Sequence, residues 1–247
     1  MNTAWPAGYD LKTLDIVDST NEEARRMAAA GQRGPIWIRA DRQTAGRGRR
    51  GRSWETPAGN LAATLLISPG KPASDCAQLS FAAAIAAQET VFSFLPDAGV
   101  RVKWPNDVLA NGKKIAGILL ESASTGVVPE WLAIGVGINL AHHPEGTEFP
   151  ATSLAALGAI APAPALALTH LAASFAKWYE IWCAGGFSPL RDAWLARAAG
   201  LGARIRARLP DGDCWGIFEG IDQAGALVLR EGQGKTRRIA AGEVFFG

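Results

Sequence analysis

The sequence predicts an α+β chain: a mainly antiparallel central sheet flanked by helices, followed by a small β-rich tail. Three observations predict it. Strand patterns between Val100 and Leu140 succeed one another through hairpin signals with no helical segment between them, which requires antiparallel pairing. Two long apolar stretches, about 76–95 and 163–184, have helical length and suit packing against a sheet. From Leu201 onward only short strand patterns divided by turn residues remain. The expected division is a main domain at 1–200 and a tail domain at 201–247.

Taken in order, Ser19-Thr20-Asn21-Glu22 precedes an alanine-rich run, and Ser19 with Glu22 has capping-box spacing for a helix near 20–30. Ser19, Thr20 and Asn21 also gather small polar groups at a helix start, where they can grip the polar head of a ligand. Ile36 to Ala40 alternates as a strand, and Asn60 to Ser68 reads as a buried one. Pro69-Gly70-Lys71-Pro72 ends it. Ser74-Asp75 can cap a helix from Cys76 to Leu95, stopped by Pro96.

Val100 to Trp104 is a short strand, Asn111-Gly112 a strong hairpin turn leading into Lys113 to Glu121, and Trp131 to Leu140 a further strand. Gly135 and Gly137 within that last strand mark a close approach by a ligand or another backbone. Two helices are expected at 163–184 and 189–199. Phe175, Trp178, Tyr179 and Trp182 on the first have the spacing of a packed stripe. The tail reads as strands at 204–209, 214–221, 227–230, 235–240 and 244–246, which fits a small SH3-type barrel. Gly234-Lys235-Thr236 imitates the end of a P-loop, but Leu229 stands where its first glycine belongs and no helix can follow.

Composition excludes several classes. Lys and Arg total 25 against 23 Asp and Glu, a net +2, so a uniformly cationic nucleic-acid binder is not the first reading. Cys76, Cys183 and Cys214 are too few and scattered for a disulfide framework, and His142, His143 and His170 lack metal-ligand spacing. Neither a targeting signal nor a membrane-spanning run is visible, so a cytoplasmic protein without a membrane partner is expected.

The basicity is local. Gly46-Arg47-Gly48-Arg49-Arg50-Gly51-Arg52-Ser53-Trp54 interleaves four arginines with three glycines, which suits a mobile loop closing over an anion such as phosphate. Its glycine spacing also satisfies G-x-G-x-x-G. The residues after Gly51 include Pro57 and Gly59 and lack helical periodicity, so no helix N-terminus is there to hold a pyrophosphate.

Together these residues resemble the biotin protein ligases: Ser19-Thr20-Asn21, Gln43, the arginine loop with Trp54, Lys103-Trp104-Pro105-Asn106-Asp107, Lys114 with Ala116-Gly117, and Gly135-Val136-Gly137-Ile138-Asn139 occur in that family's order. The resemblance covers essentially the whole chain. It implies a main domain related to class II aminoacyl-tRNA synthetase catalytic domains and an SH3-like tail. It implies activation of biotin by ATP to biotinyl-AMP with Mg²⁺, then transfer to a lysine of a biotin carboxyl carrier domain, that of acetyl-CoA carboxylase being the commonest. Positioned cations are what such an attack of one anion on another requires.

By the same resemblance Ser19, Thr20, Asn21 and Gln43 would meet the ureido head of biotin, with Gly46, Gly48 and Gly117 beside the ligand. Arg47 and Arg49 would cover biotin and the acyl phosphate and act in catalysis. Lys114 would bridge the biotin carboxylate and the α-phosphate. Arg49, Arg50, Trp54, Asn106, Asp107, Lys114 and Asn139 would contact the nucleotide, and Asp107 would help place Mg²⁺. In isolation, Lys114 reads sooner as a surface lysine of a hairpin, and only the ordered set of motifs overturns that; for Asp107 the lesser alternative is an ordinary turn acid.

Two departures stand out. The ligase motifs begin almost at once, without room for the helix-turn-helix of the repressor members, so a monofunctional enzyme without specific DNA binding is expected. The chain ends at Phe245-Phe246-Gly247, where some relatives carry a basic residue near the nucleotide, leaving Arg237 or Arg238 for that role. The rival readings are a lipoate or octanoate transferase and a nucleic-acid-binding module. An exposed sheet edge leaves a homodimer open.

Overall fold

The computed structural model describes residues 3–123, 126–210 and 212–246. The terminal Gly247 lies outside the described residues. Twelve strands and five α-helices are formed among them: β1 Asp10–Val17, α1 Thr20–Ala29, β2 Ile36–Gln43, β3 Leu61–Ile67, α2 Ala73–Ala77, α3 Leu79–Phe94, β4 Arg101–Lys103, β5 Asp107–Ala110, β6 Lys113–Ala123, β7 Trp131–Ile138, α4 Pro164–Gly185, α5 Phe187–Leu195, β8 Arg204–Leu209, β9 Gly212–Ile221, β10 Leu227–Arg230, β11 Thr236–Ile239 and β12 Glu243–Phe246.

Seven strands make one sheet in the order β1-β2-β3-β7-β6-β5-β4. All its pairings are antiparallel except β1 with β2, which α1 joins as a crossover. The sequence assigns no element to Asp10–Val17. This edge strand carries Asp10, Lys12, Thr13 and Asp15 and leaves Leu11 and Ile16 exposed, so the alternation that marks a half-buried strand is weak in it. The expected single helix at 76–95 is instead two, broken at Gln78, which ends α2 and starts α3. Pro189 falls inside the first turn of α5, so that helix starts at Phe187, ahead of the expected 189.

Strand parity divides the sheet into two faces. Leu61, Ala63, Leu65 and Ile67 of β3 and Leu132, Ile134, Val136 and Ile138 of β7 share a core with buried residues of α3 and α4. Ile38, Leu66 and Ala133 face the other way, where Ala24, Met27 and Ala28 of α1 cover them. Beyond α1 that second face is open, and the register sets three residues side by side there twice: Thr64, Gly135 and Leu119, then Ala62, Gly137 and Gly117. Small side chains in the middle of three strands leave a trough.

The tail is a five-stranded antiparallel sheet in the order β11-β10-β9-β8-β12. Its inner residues Ile205, Ala207, Phe218 and Leu227 belong to the same core as α3, α4 and Trp194. Trp104, just after β4, donates its indole N–H to the Gly225 carbonyl of the tail at 3.1 Å. Gly234 closes a short 3-10 turn and Lys235 leads into β11, so no helix follows the P-loop-like triplet. Among the described residues, no helix is long and apolar enough to cross a membrane.

Candidate active site

A cavity of about 560 Å³ opens on the trough, and residues from nearly every sequence motif line it: Ser19, Thr20, Asn21, Gln43, Arg47, Gly48, Arg49, Trp54, Asn106, Asp107, Lys114, Gly117 and Asn139. Gly46 and Arg50 are outside its lining. Gly46 is buried behind the loop, where an added Cβ would meet the Trp54 carbonyl oxygen at 2.3 Å. Arg50 is exposed, its backbone at φ 57.

One end of the cavity is neutral and interlocked. Gln43 Oε1 accepts from the Thr20 amide at 2.8 Å and from the Thr20 hydroxyl at 3.0 Å, while Gln43 Nε2 donates to Thr56 Oγ1 at 3.0 Å. Thr64 Oγ1 donates to Asn21 Oδ1 at 2.7 Å, with Thr20 Oγ1 also 2.8 Å away, and Asn21 Nδ2 donates to Glu121 Oε2 at 2.7 Å. Ser19, Thr20, Asn21 and Thr64 are all buried. The cluster is buried yet paired, as polar groups away from water must be. Asn21 fits because Gly135 has no side chain: a Cβ there would lie 2.3 Å from Asn21 Oδ1. The expected capping box is not formed. Ser19 makes no side-chain cap, and Glu22 pairs with Arg25 and with Arg47, at 2.9 Å for the latter.

The other end is charged. Lys114 Nζ lies 2.6 Å from Asp107 Oδ1, and Lys103 Nζ lies 3.7 Å from Asp107 Oδ2. Burial pulls Lys103 down to about 8, with Asp107 opposing the shift. Arg49 donates to Asn106 Oδ1 at 3.1 Å, and Asn106 Nδ2 donates to the Ile118 carbonyl at 2.6 Å. Burial also lowers Arg49, helped by the like charge of Arg50, although a guanidinium remains protonated throughout the working range. Asn139 is buried and donates to the Thr152 carbonyl at 3.0 Å.

Trp54 lies across the trough between the two ends. A Cβ on Gly137 would come within 2.3 Å of its indole and one on Gly117 within 3.1 Å, so the glycines give the ring its bed. Lys114 Nζ stands 5.5 Å from the ring centroid. The arginine loop reaches this place from the strand end of β2 and turns through a 3-10 segment, Arg49–Gly51, with no α-helix following. It is tethered at both sides, Arg47 to Glu22 and Arg52 to Glu243 of β12 at 2.7 Å. Burial alone would raise Glu243, but Arg52, Arg50 and Arg49 outweigh it and hold its carboxyl below the usual range.

Sequence reasoning missed Thr56, Thr64, Glu121 and Glu243 as parts of the site. Thr64 carried a signal, being the one polar residue of the strand LAATLLI. Glu243 carried none, since only the tail's docking brings it to the loop.

A family model described as "Biotin/lipoate A/B protein ligase family" matches residues 14–139, and "Biotin protein ligase C terminal domain" matches residues 200–247. The class is thus that of ligases handling biotin or lipoate. The sequence is similar to the Biotin--[acetyl-CoA-carboxylase] ligase of Paracoccus denitrificans, 47% identical and covering 95% of this chain and 99% of that one. It is similar to the protein of the same name from Mycobacterium tuberculosis, 38% identical over 96% of this chain and 90% of that one. The fold matches the Aquifex aeolicus biotin protein ligase in complex with biotin and ATP, with a TM-score of 0.82, 26% identity, and coverage of 96% of this chain and 97% of that one. The chain belongs to the biotin protein ligase family.

Proposed function

We propose that this chain activates biotin with ATP and transfers it to a lysine of a biotin carboxyl carrier domain, that of acetyl-CoA carboxylase. One observation carries this reading: a single cavity joins a neutral hydrogen-bonding end at Thr20, Asn21 and Gln43 to a cationic end at Arg49, Lys103 and Lys114. A ureido head needs neutral donors and acceptors, whereas a carboxylate meeting a triphosphate needs positive charge.

In the first step a biotin carboxylate oxygen attacks the α-phosphorus, the α–β phosphoanhydride bond breaks, and pyrophosphate leaves. Lys114, 2.6 Å from Asp107, would neutralise both reacting anions, exchanging that contact for them. Arg47 and Arg49, on a loop with glycine at 46, 48 and 51, cover the acyl phosphate and keep water from the mixed anhydride. Gly46 and Gly48 shape the biotin side of that loop, and Gly117 lies beneath the acyl chain. Trp54 and Asn139 flank the adenosine side, while Arg50 and Asn106 support the phosphates. In the second step the carrier lysine amine attacks the acyl carbon, AMP leaves, the amide forms and the nitrogen loses a proton.

Among the described residues no group of three His, Cys, Asp or Glu side chains is arranged to hold a metal. That suits Mg²⁺ carried by the nucleotide, since it binds through substrate phosphates and water with one or two carboxylates. Asp107 is the carboxylate nearest Lys114 and would supply that oxygen; the ion's contribution is to offset phosphate charge. Residues 1–200 would hold the chemistry, and 201–247 would brace the loop through Glu243.

The test is ATP–pyrophosphate exchange by the full chain. Exchange that requires biotin and Mg²⁺ is expected. Exchange supported by lipoate or octanoate and not by biotin would overturn the substrate assignment.

A further inference from the structure

β6 carries an acid that stands behind the neutral end of the cavity. Register pairs Gly117 with Gly137, Leu119 with Gly135 and Glu121 with Ala133, and strand parity turns all three residues of β6 to the face that holds the trough. Gly117 and Leu119 line the cavity, whereas Glu121, next in the row, is outside its lining. It reaches the cavity through other side chains. Glu121 Oε2 accepts from Asn21 Nδ2 at 2.7 Å, and Oε1 lies 3.7 Å from Arg47 Nη2, the loop guanidinium that Glu22 holds at 2.9 Å. One half-buried carboxylate thus spans a recess side chain and a loop side chain, with one oxygen for each.

The chemistry of the first contact is directional. An ionised carboxylate only accepts hydrogen bonds, so Glu121 fixes the Asn21 amide with its NH2 toward the acid and its carbonyl oxygen toward Thr64 and the recess. The Thr64 hydroxyl would serve either orientation, because it can donate or accept. The Leu119 carbonyl also faces Asn21 Nδ2, but at 3.5 Å it is a weak partner. Negative charge on Glu121 polarises the amide as well, which strengthens Asn21 Oδ1 as an acceptor for a ureido N–H. A dithiolane ring, as in lipoate, has no N–H and gains nothing from that acceptor. The second contact is a screened attraction, by which the acid that orients the recess also draws Arg47 of the loop toward it.

We propose that Glu121 is a positioning residue for the activation step: it sets the Asn21 amide to receive the ureido head and, through Arg47, ties closure of the loop 46–52 to that recess. The inference rests on the biotin-activating reading above. Two contacts on one carboxylate give two separable effects. Glutamine at this position keeps an acceptor for Asn21 and gives up the charge that attracts Arg47, whereas alanine gives up both.

The experiment uses the full chain with Glu121→Gln and Glu121→Ala, each alone and combined with Arg47→Met or Asn21→Ala. Biotin binding is measured by calorimetry, and release of preformed biotinyl-AMP by stopped flow at low and high salt. Glu121→Ala should weaken biotin binding about tenfold or more, while Glu121→Gln should change it by less than about threefold. Glu121→Gln should nevertheless release biotinyl-AMP about threefold faster at low salt, with the difference from the parent vanishing at high salt. In the combined variants, Glu121→Gln should not speed release further once Arg47 is Met, and Glu121→Ala should cost biotin binding less than about twofold once Asn21 is Ala. Biotin binding as weak in Glu121→Gln as in Glu121→Ala, unchanged release in Glu121→Gln, or fully additive effects in either combination would overturn the inference. If Glu121→Ala does not fold, the combination of Glu121→Gln with Arg47→Met decides. If the parent protein binds biotin but shows no biotin-dependent exchange, the activating reading fails, and the calorimetry still decides whether Glu121 orients Asn21; a parent that binds no biotin overturns both.

Discussion

The two ends of the cavity are built on different principles. At the neutral end Gln43, Thr20, Thr64 and Asn21 satisfy one another, so the recess exists before any ligand arrives. At the charged end Lys114 is paired with Asp107 and Arg52 with Glu243, so these cations are held by acids that a ligand must replace. The difference teaches what each end can control. A preformed neutral recess sets affinity and selectivity. Exchangeable ion pairs set the rate at which charge is stabilised as it develops, and they respond to salt.

The largest expected effect tests the charged end. Lys114→Ala should slow biotinyl-AMP formation by on the order of a hundredfold or more, as loss of one preorganised charge contact does. Biotin binding, measured separately by calorimetry, should suffer less; equal losses in both would erase the distinction between the ends.

Thr64→Val is the converse experiment. It leaves Asn21 Oδ1 without its 2.7 Å donor, at a cost of about 1–3 kcal/mol. Biotin affinity should fall roughly tenfold or more, since each factor of ten is about 1.4 kcal/mol. The loss should be independent of ionic strength, read by titration at low and high salt, and a strong salt dependence would contradict the neutral assignment.

Arg49→Gly sharpens the view of the loop. It removes the contact to Asn106 and leaves the segment at least as flexible, so biotinyl-AMP should still form but dissociate severalfold faster. Stopped-flow release of preformed adenylate, and biotin incorporated into a bystander protein such as serum albumin, are the readouts. Unchanged release with collapsed synthesis would confine Arg49 to charge stabilisation.

The smallest effect lies outside the cavity, at the start of α1. The hydrogen bonds of Arg26 hold Asp18 down at about 2, against an ordinary 3.8. A carboxyl depressed in the folded state stabilises above its unfolded pKa, and that contribution is lost as pH falls from about 4 through 2. Asp18 is exposed, so screening reduces the contribution to about a few tenths of a kcal/mol. Asp18→Asn should therefore lower Tm slightly at pH 7 and not at pH 2, by calorimetry.

Much of this was legible in the chain. Asn111-Gly112 between strand patterns forms the hairpin of β5 and β6, and Asn111 takes the positive φ of 48 that such a turn demands. The glycines at 135 and 137 announced a close approach, and Asn21 and Trp54 make it. The family's ordered motifs named most of the cavity lining. β1 stayed hidden because an edge strand paired on one side needs little apolar patterning. The capping box failed because Glu22 has nearer cations in Arg25 and Arg47, and an ion pair with these outweighs a bond back to a backbone amide.

By itself the sequence determined the elements, through apolar period and turn residues, and the chemical types at the site, through residues no core would choose. Only the tertiary structure decided which residues share a neighbourhood. The pairing of β3 with β7 places Thr64 beside Gly135, docking of the tail brings Glu243 to Arg52, and the same docking sets Phe245 against Lys103. The physical reason is range. Period and turn chemistry act over a few residues, whereas these contacts join positions 71, 191 and 142 apart and form only when buried surfaces fix the sheets together.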